Sequence, residues 1–172
     1  MTDYTFLIDI LLDALFAAFA AIGFAIISNP PRKAILISAL LAAIGHGLRY
    51  FLMHSSLFGF RVTVASFFAS FAIGLISIPF AKKIHFPAEV FSFPSLLPMI
   101  PGMFAYKTLL AVNRLLHDAQ GGEAMSYIVD ICQNGLTTIF ILFSLVLGVS
   151  IPVFIFHKQS FSITRRENIE KK

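Results

Sequence analysis

Tryptophan is absent from this chain, cysteine occurs once, and charged residues fill only 13% of its 172 positions. Each shortage closes off a class of protein. A single cysteine, Cys132, excludes an intrachain disulfide and a cysteine metal cluster, and inside an apolar segment it reads as a small core residue. Soluble domains carry about 25% charged and about 45–50% apolar residues. Here 58% of residues are hydrophobic and the mean hydropathy is +0.85, which marks a polytopic membrane protein. No His, Cys, Asp and Glu set has metal-ligand spacing. There is no phosphate-binding glycine loop and no Gly-x-Ser-x-Gly. The chain is not read as an enzyme, and no cofactor or metal is expected. Without tryptophan, anchoring at the membrane surface falls to Tyr, Phe, Lys and Arg. The start, Met1-Thr2-Asp3-Tyr4, has no basic n-region, and no signal peptide is expected.

What the chain does have is long apolar runs. A membrane-spanning helix needs about 20 mostly apolar residues. The runs predict an all-α fold of about five transmembrane helices over 5–27, 34–53, 60–80, 86–116 and 125–156. Together they form a membrane domain over 1–157, followed by a basic tail, 158–172. Ser28-Asn29-Pro30-Pro31 stops the first span, and Pro152 is expected to mark the end of the fifth. Nine of the 13 basic residues lie in short connections and the tail. They set topology and give no reason to expect nucleic acid. With positive charge retained in the cytoplasm, Arg32/Lys33, Lys82/Lys83 and the tail lie inside. The N-terminus and the loops 54–59 and 117–123 then lie outside, an N-out, C-in arrangement.

The fourth run is about 31 residues, too long for one straight crossing at about 1.5 Å per residue, and it contains Pro94, Pro98, Pro101 and Gly102. Prolines 98 and 101 would leave the carbonyls of Pro94 and Leu97 without helical partners. This is either a simple kink or a functional break. Irregular backbone at membrane depth survives only where protein or a water-filled cavity covers it, and broken helices hold substrate in many transporters. A re-entrant hairpin here would put the basic tail outside, so a broken helix that still crosses is preferred.

Each helix also carries a stripe of small or polar residues. Asp9 and Asp13 share a face of span 1, and Ser38, Ala42, His46 and Arg49 line up in span 2. Thr63, Ser66, Ser70, Gly74 and Ser77 do so in span 3, and Ser126, Asp130, Gln133/Asn134 and Thr137 in span 5. Such stripes serve helix packing or line a pathway. Ionisable groups in a span cost at least about 2.5–3.5 kcal/mol on insertion scales. Asp9, Asp13, Arg49, Lys107 and Asp130 are therefore expected to face protein or water. Asp9/Asp13 with Arg49 is the expected pair. Asp9, Asp13 and Asp130 act as a proton relay or as structural ion pairs.

Gly45-His46-Gly47-x-Arg49 and Pro98-x-x-Pro101-Gly102-x-x-x-Tyr106 resemble the threonine/serine exporter family, most closely the small YjjB-like subunit of its split form. Ala21-Ile22-Gly23-Phe24-Ala25 before Asn29-x-Pro31, and Gly148-x-Ser150-Ile151-Pro152, support the likeness, which covers about 14–157. The resemblance implies an inner-membrane, multi-pass exporter of small hydrophilic metabolites, either threonine and serine or a dicarboxylate such as succinate. It implies a larger membrane subunit of the same family as partner. Arg49, His46, Pro98, Pro101, Gly102 and Tyr106 are the pathway candidates it supplies, and Lys107 joins them by its depth. A structural subunit whose partner alone carries the path, and a homo-oligomeric pore, are the other arrangements open.

Overall fold

In a computed structural model, residues 3–55, 57–117 and 123–156 can be described, and they form helices joined by short connections. The helices are α1 (Asp3–Ile27), α2 (Arg32–His54), α3 (Val62–Ile84), α4 (Glu89–Leu96), α5 (Gly102–His117) and α6 (Glu123–Ile155), with a 3-10 turn, Leu97–Met99, after α4. Among the described residues there is no strand. Among the described residues, four helices, α1, α2, α3 and α6, are long and apolar enough to cross a membrane, and the bent pair Glu89–Met99 and Gly102–His117 brings the number to five if it counts as one span. The basic tail and residues 118–122 of the expected outer loop lie outside the described residues.

The helix ends follow from local chemistry. After α1, Asn29 takes a left-handed conformation (φ 48°), which asparagine tolerates better than most residues. Pro30 and Pro31 follow, and Pro31 stands as the N-cap of α2. α3 is closed by His85, again left-handed (φ 63°), whose N–H donates to the Ala81 carbonyl. That bond satisfies an end carbonyl that the helix itself cannot.

The chain divides into two compact units: Met1–Met99 with Ser144–Lys172, and Ile100–Phe143. In the first, small residues set the spacing. Ala17 and Ala21 of α1 bury against Ala42 of α2, which also packs on α3 and α4. α3 meets the end of α6 closely. A Cβ placed on Gly74 would lie 2.7 Å from the Val149 carbonyl oxygen, and one on Gly148 would lie 2.6 Å from that of Phe67. Ser70 Oγ donates to the Phe67 carbonyl (2.9 Å) and the Ser144 carbonyl (3.2 Å). Ser66, Ser70 and Ser77 are all fully buried. The span 3 stripe therefore packs inside this chain. In the second unit α5 lies beside the first part of α6, where Gly135 sits in ordinary contact with Thr108.

Two expectations need correction. Pro152 does not end the last helix. It lies inside α6, buried, with Ile155 the final helical residue. Its ring packs beside Gly74, and a helix already long enough tolerates the one lost backbone bond where neighbours cover it. In the fourth run, the four break residues also differ in role. Pro94 lies within α4 and Pro98 within the 3-10 turn, so Pro101 alone stands at the interruption before α5. Gly102 opens α5 with open space around it: a Cβ there meets nothing within 4 Å. It makes no close approach within the chain. Gly102→Leu is accordingly expected to accumulate in membranes at wild-type level, checked by quantitative blotting of the membrane fraction.

Candidate functional site

The ionisable residues gather in two places, one in each unit. The first is built by α1, α2 and the 3-10 turn. Asp9 and Asp13 lie four residues apart on α1, and His46 and Tyr50 lie four apart on α2, so each pair shares a helix face. The helices run antiparallel, and the pairs meet rung by rung. His46 Nδ1 lies 3.1 Å from Asp13 Oδ2. The carboxylate can only accept, so the imidazole donates. One turn along, the Tyr50 hydroxyl donates to Asp9 Oδ2 at 3.4 Å. His46 is 6% exposed, and its Nε2 is buried without a partner among the described residues. Asp13 is more open, its side chain 35% exposed.

Arg49 occupies the neighbouring face of α2 and does not pair directly with Asp9 or Asp13, contrary to the expected pairing. Its Nη1 donates to the Met99 carbonyl at 3.3 Å. The reason lies in spacing. Gly45 and Arg49 are four residues apart, and a Cβ on Gly45 would press on Ile73 and on Met99 Cε. Gly45 thus admits the fully buried Met99 side chain, which brings the Met99 backbone within reach of Arg49. Met99 is the last residue of the turn before Pro101. Carbonyls at a helix end have no partner in their own helix, and Arg49 supplies one. The glycine-histidine element therefore has three structural tasks: Gly45 makes room for the turn, His46 faces α1, and Arg49 holds the broken end.

The second place is a groove of about 340 Å³ between α5 and α6, lined by Lys107, Arg114, Tyr127, Asp130, Gln133 and Asn134 over a floor of Leu110 and Ala111. Asn134 Nδ2 donates to the Asp130 backbone carbonyl at 2.9 Å. Among the described residues, no ion pair joins Lys107 or Arg114 to Asp130. Two cations and one anion thus face a common space inside a membrane-spanning segment without neutralising one another. All three are exposed on the chain, and charge within a span needs water, ligand or a further protein surface beside it.

Of the residues singled out from the sequence, Asp9, Asp13, His46 and Arg49 come together in the first place, and Lys107 and Asp130 in the second. Tyr106 is 60% exposed and lies outside the groove lining. Pro101 is buried and Pro98 half-buried, where they shape the turn. Two residues went unnoticed. Tyr50, four positions after His46, and Tyr127, three before Asp130, could both have been found by helical spacing. The Met99 carbonyl could not, because a backbone acceptor leaves no mark in the sequence. Among the described residues, no group of three or more His, Cys, Asp or Glu could hold a metal ion.

A family model described as "Threonine/Serine exporter, ThrE" matches residues 13–155. The chain belongs to the threonine/serine exporter family. That span includes every residue of the two polar constellations except Asp9. An exporter family is not an enzyme class. An uncharacterized protein of Haemophilus influenzae is 32% identical over 154 residues, which are 90% of this chain and 50% of that protein. The chain thus spans about half the length of this relative. No solved structure matches it.

Proposed function

We propose that this chain is the small subunit of a two-component secondary exporter in the inner membrane. It would move threonine- or serine-type amino acids, or a dicarboxylate such as succinate, together with a larger membrane subunit of the same family. The observation that carries this reading is the mixed-charge groove of α5 and α6. A carboxylate meets Lys107 and Arg114, and Asp130 takes the ammonium of an amino acid or repels the second carboxylate of a diacid. The amides of Gln133 and Asn134 suit a hydroxyl. Asp13 and His46 supply a proton-handling pair: a proton reaching Nε2 leaves an imidazolium beside a carboxylate, a neutral pair as a whole.

Proteoliposomes holding this chain, the larger subunit, or both separate the readings. Transport of labelled serine, threonine or succinate is expected only with both. Full transport by the larger subunit alone would make this chain an assembly subunit, and transport by this chain alone would make it a homo-oligomeric pore. Within the complete system, Asp130→Asn is expected to shift preference from serine towards succinate by roughly ten-fold, since one unit charge removed about 4 Å away is worth ~1 kcal/mol in water and ~4 kcal/mol at an effective dielectric of about 20, and exposed Asp130 lies near the water end of that range. An unchanged serine-to-succinate ratio would remove the groove from substrate recognition.

A further inference from the structure

Where helices end, another cavity of about 430 Å³ lies between the first turns of α2 and the last turn of α3, lined by Lys33, Ile37, Phe80, Lys83, Ile84 and His85. The two helices are antiparallel neighbours, so residues 50 positions apart in sequence come together at one end of the first unit. The lining holds two ammonium groups and an imidazole, and no carboxylate. Among the described residues, neither Lys33 nor Lys83 is joined to an acid. The charges stand at the ends of membrane-spanning helices, at the depth of lipid headgroups. The wall below them is apolar: Ile37 is buried, and Phe80 and Ile84 are half-buried.

We infer that this cavity is a binding site for an anionic phospholipid. The phosphate sits between Lys33 and Lys83, and the first methylenes of an acyl chain run along Ile37, Phe80 and Ile84. Charge alone would suit a free phosphate equally well, but the apolar wall gives the lipid a second contact that the soluble ion lacks. Basic pockets between membrane helices hold lipid headgroups on this principle. The site is independent of the transport reading, because none of its residues belongs to either polar constellation described above.

The test uses the full chain purified in mild detergent. Bound lipid is counted by native mass spectrometry after addition of phosphatidylglycerol or phosphatidylcholine, with inorganic phosphate as competitor. Phosphatidylglycerol is expected to be retained at least ten-fold over phosphatidylcholine, with each lysine contributing roughly five-fold. Lys33→Gln with Lys83→Gln is expected to abolish that preference, and Lys33→Arg with Lys83→Arg to keep it. Arg61→Gln, at the other end of α3, is expected to leave it unchanged. Equal retention of both lipids by the wild type overturns the proposal. So does a glutamine double variant with wild-type preference. Displacement of the lipid by phosphate at equal concentration would make this a phosphate site and overturn it as well.

Discussion

Gly148→Leu is expected to leave almost no folded protein in the membrane. At this position α6 lies directly on α3. A Cβ would press on Ser70 Oγ and would lie 2.6 Å from the Phe67 carbonyl oxygen and 3.1 Å from the Phe71 nitrogen. The serine hydroxyl can turn aside, but backbone atoms of a packed helix cannot. The contact is reciprocal, since a Cβ on Gly74 would meet the Val149 carbonyl at 2.7 Å and the Pro152 ring at 3.3 Å. Over-filling a well-packed site typically costs about 1–3 kcal/mol, and more when backbone has to move. Here separation of the helices would also break the Ser70 bond to Ser144. The measurement is membrane-fraction abundance together with thermal unfolding in detergent. Gly135→Leu serves for comparison, because its Cβ finds the Thr108 methyl at an ordinary 3.5 Å. Wild-type abundance and melting for Gly148→Leu would show that α3 and α6 are not in this contact.

Arg49→Ala is expected to lower export per molecule at least ten-fold while the protein still reaches the membrane. The substitution takes away the donor to the Met99 carbonyl. A buried acceptor left unpaired costs about 1–3 kcal/mol, enough to change the conformation of a turn bounded by Pro98 and Pro101. The α1–α2 rungs of Asp13 with His46 and Asp9 with Tyr50 are untouched, so the helix pair should still assemble. Arg49→Lys is expected to fall between, because an ammonium can donate to a carbonyl but has a shorter reach and no planar fork. Export assays in cells lacking other exporters, normalised to membrane abundance, provide the readout. Undiminished export by Arg49→Ala would mean that the turn needs no external donor.

How much of this was legible in the sequence depended on the kind of interaction. The helices were readable because apolar runs and breakers such as Asn29-x-Pro31 act locally. So was the interruption near Pro101, since proline removes a donor wherever it stands. Pro152 misled for the same reason: its local effect is to weaken a helix, whereas packing beside Gly74 keeps this one going. The polar faces were readable as faces, through four-residue spacing. Their partners were not, because spacing says which residues share a side but not which helix lies opposite. Arg49 and His46 differ by three positions, and that offset sends one to the turn and the other to α1. Gly102 stands at the break before α5, as expected, but makes no close approach. The glycines that permit close approach are 45, 74 and 148, and composition gives all glycines the same weight.

The bond between Arg49 and the Met99 carbonyl has a consequence for heredity. An acid that pairs with an arginine can be exchanged with it, and a charge swap restores the pair. A carbonyl has no codon of its own. The two partners can leave no covarying positions among related chains, and no acidic substitution can answer the loss of Arg49. Compensation has to come from residues that reshape the turn or its bed, such as Pro98, Pro101 or Gly45. A genetic reversion experiment would therefore read the geometry of the break directly, through residues that carry no charge.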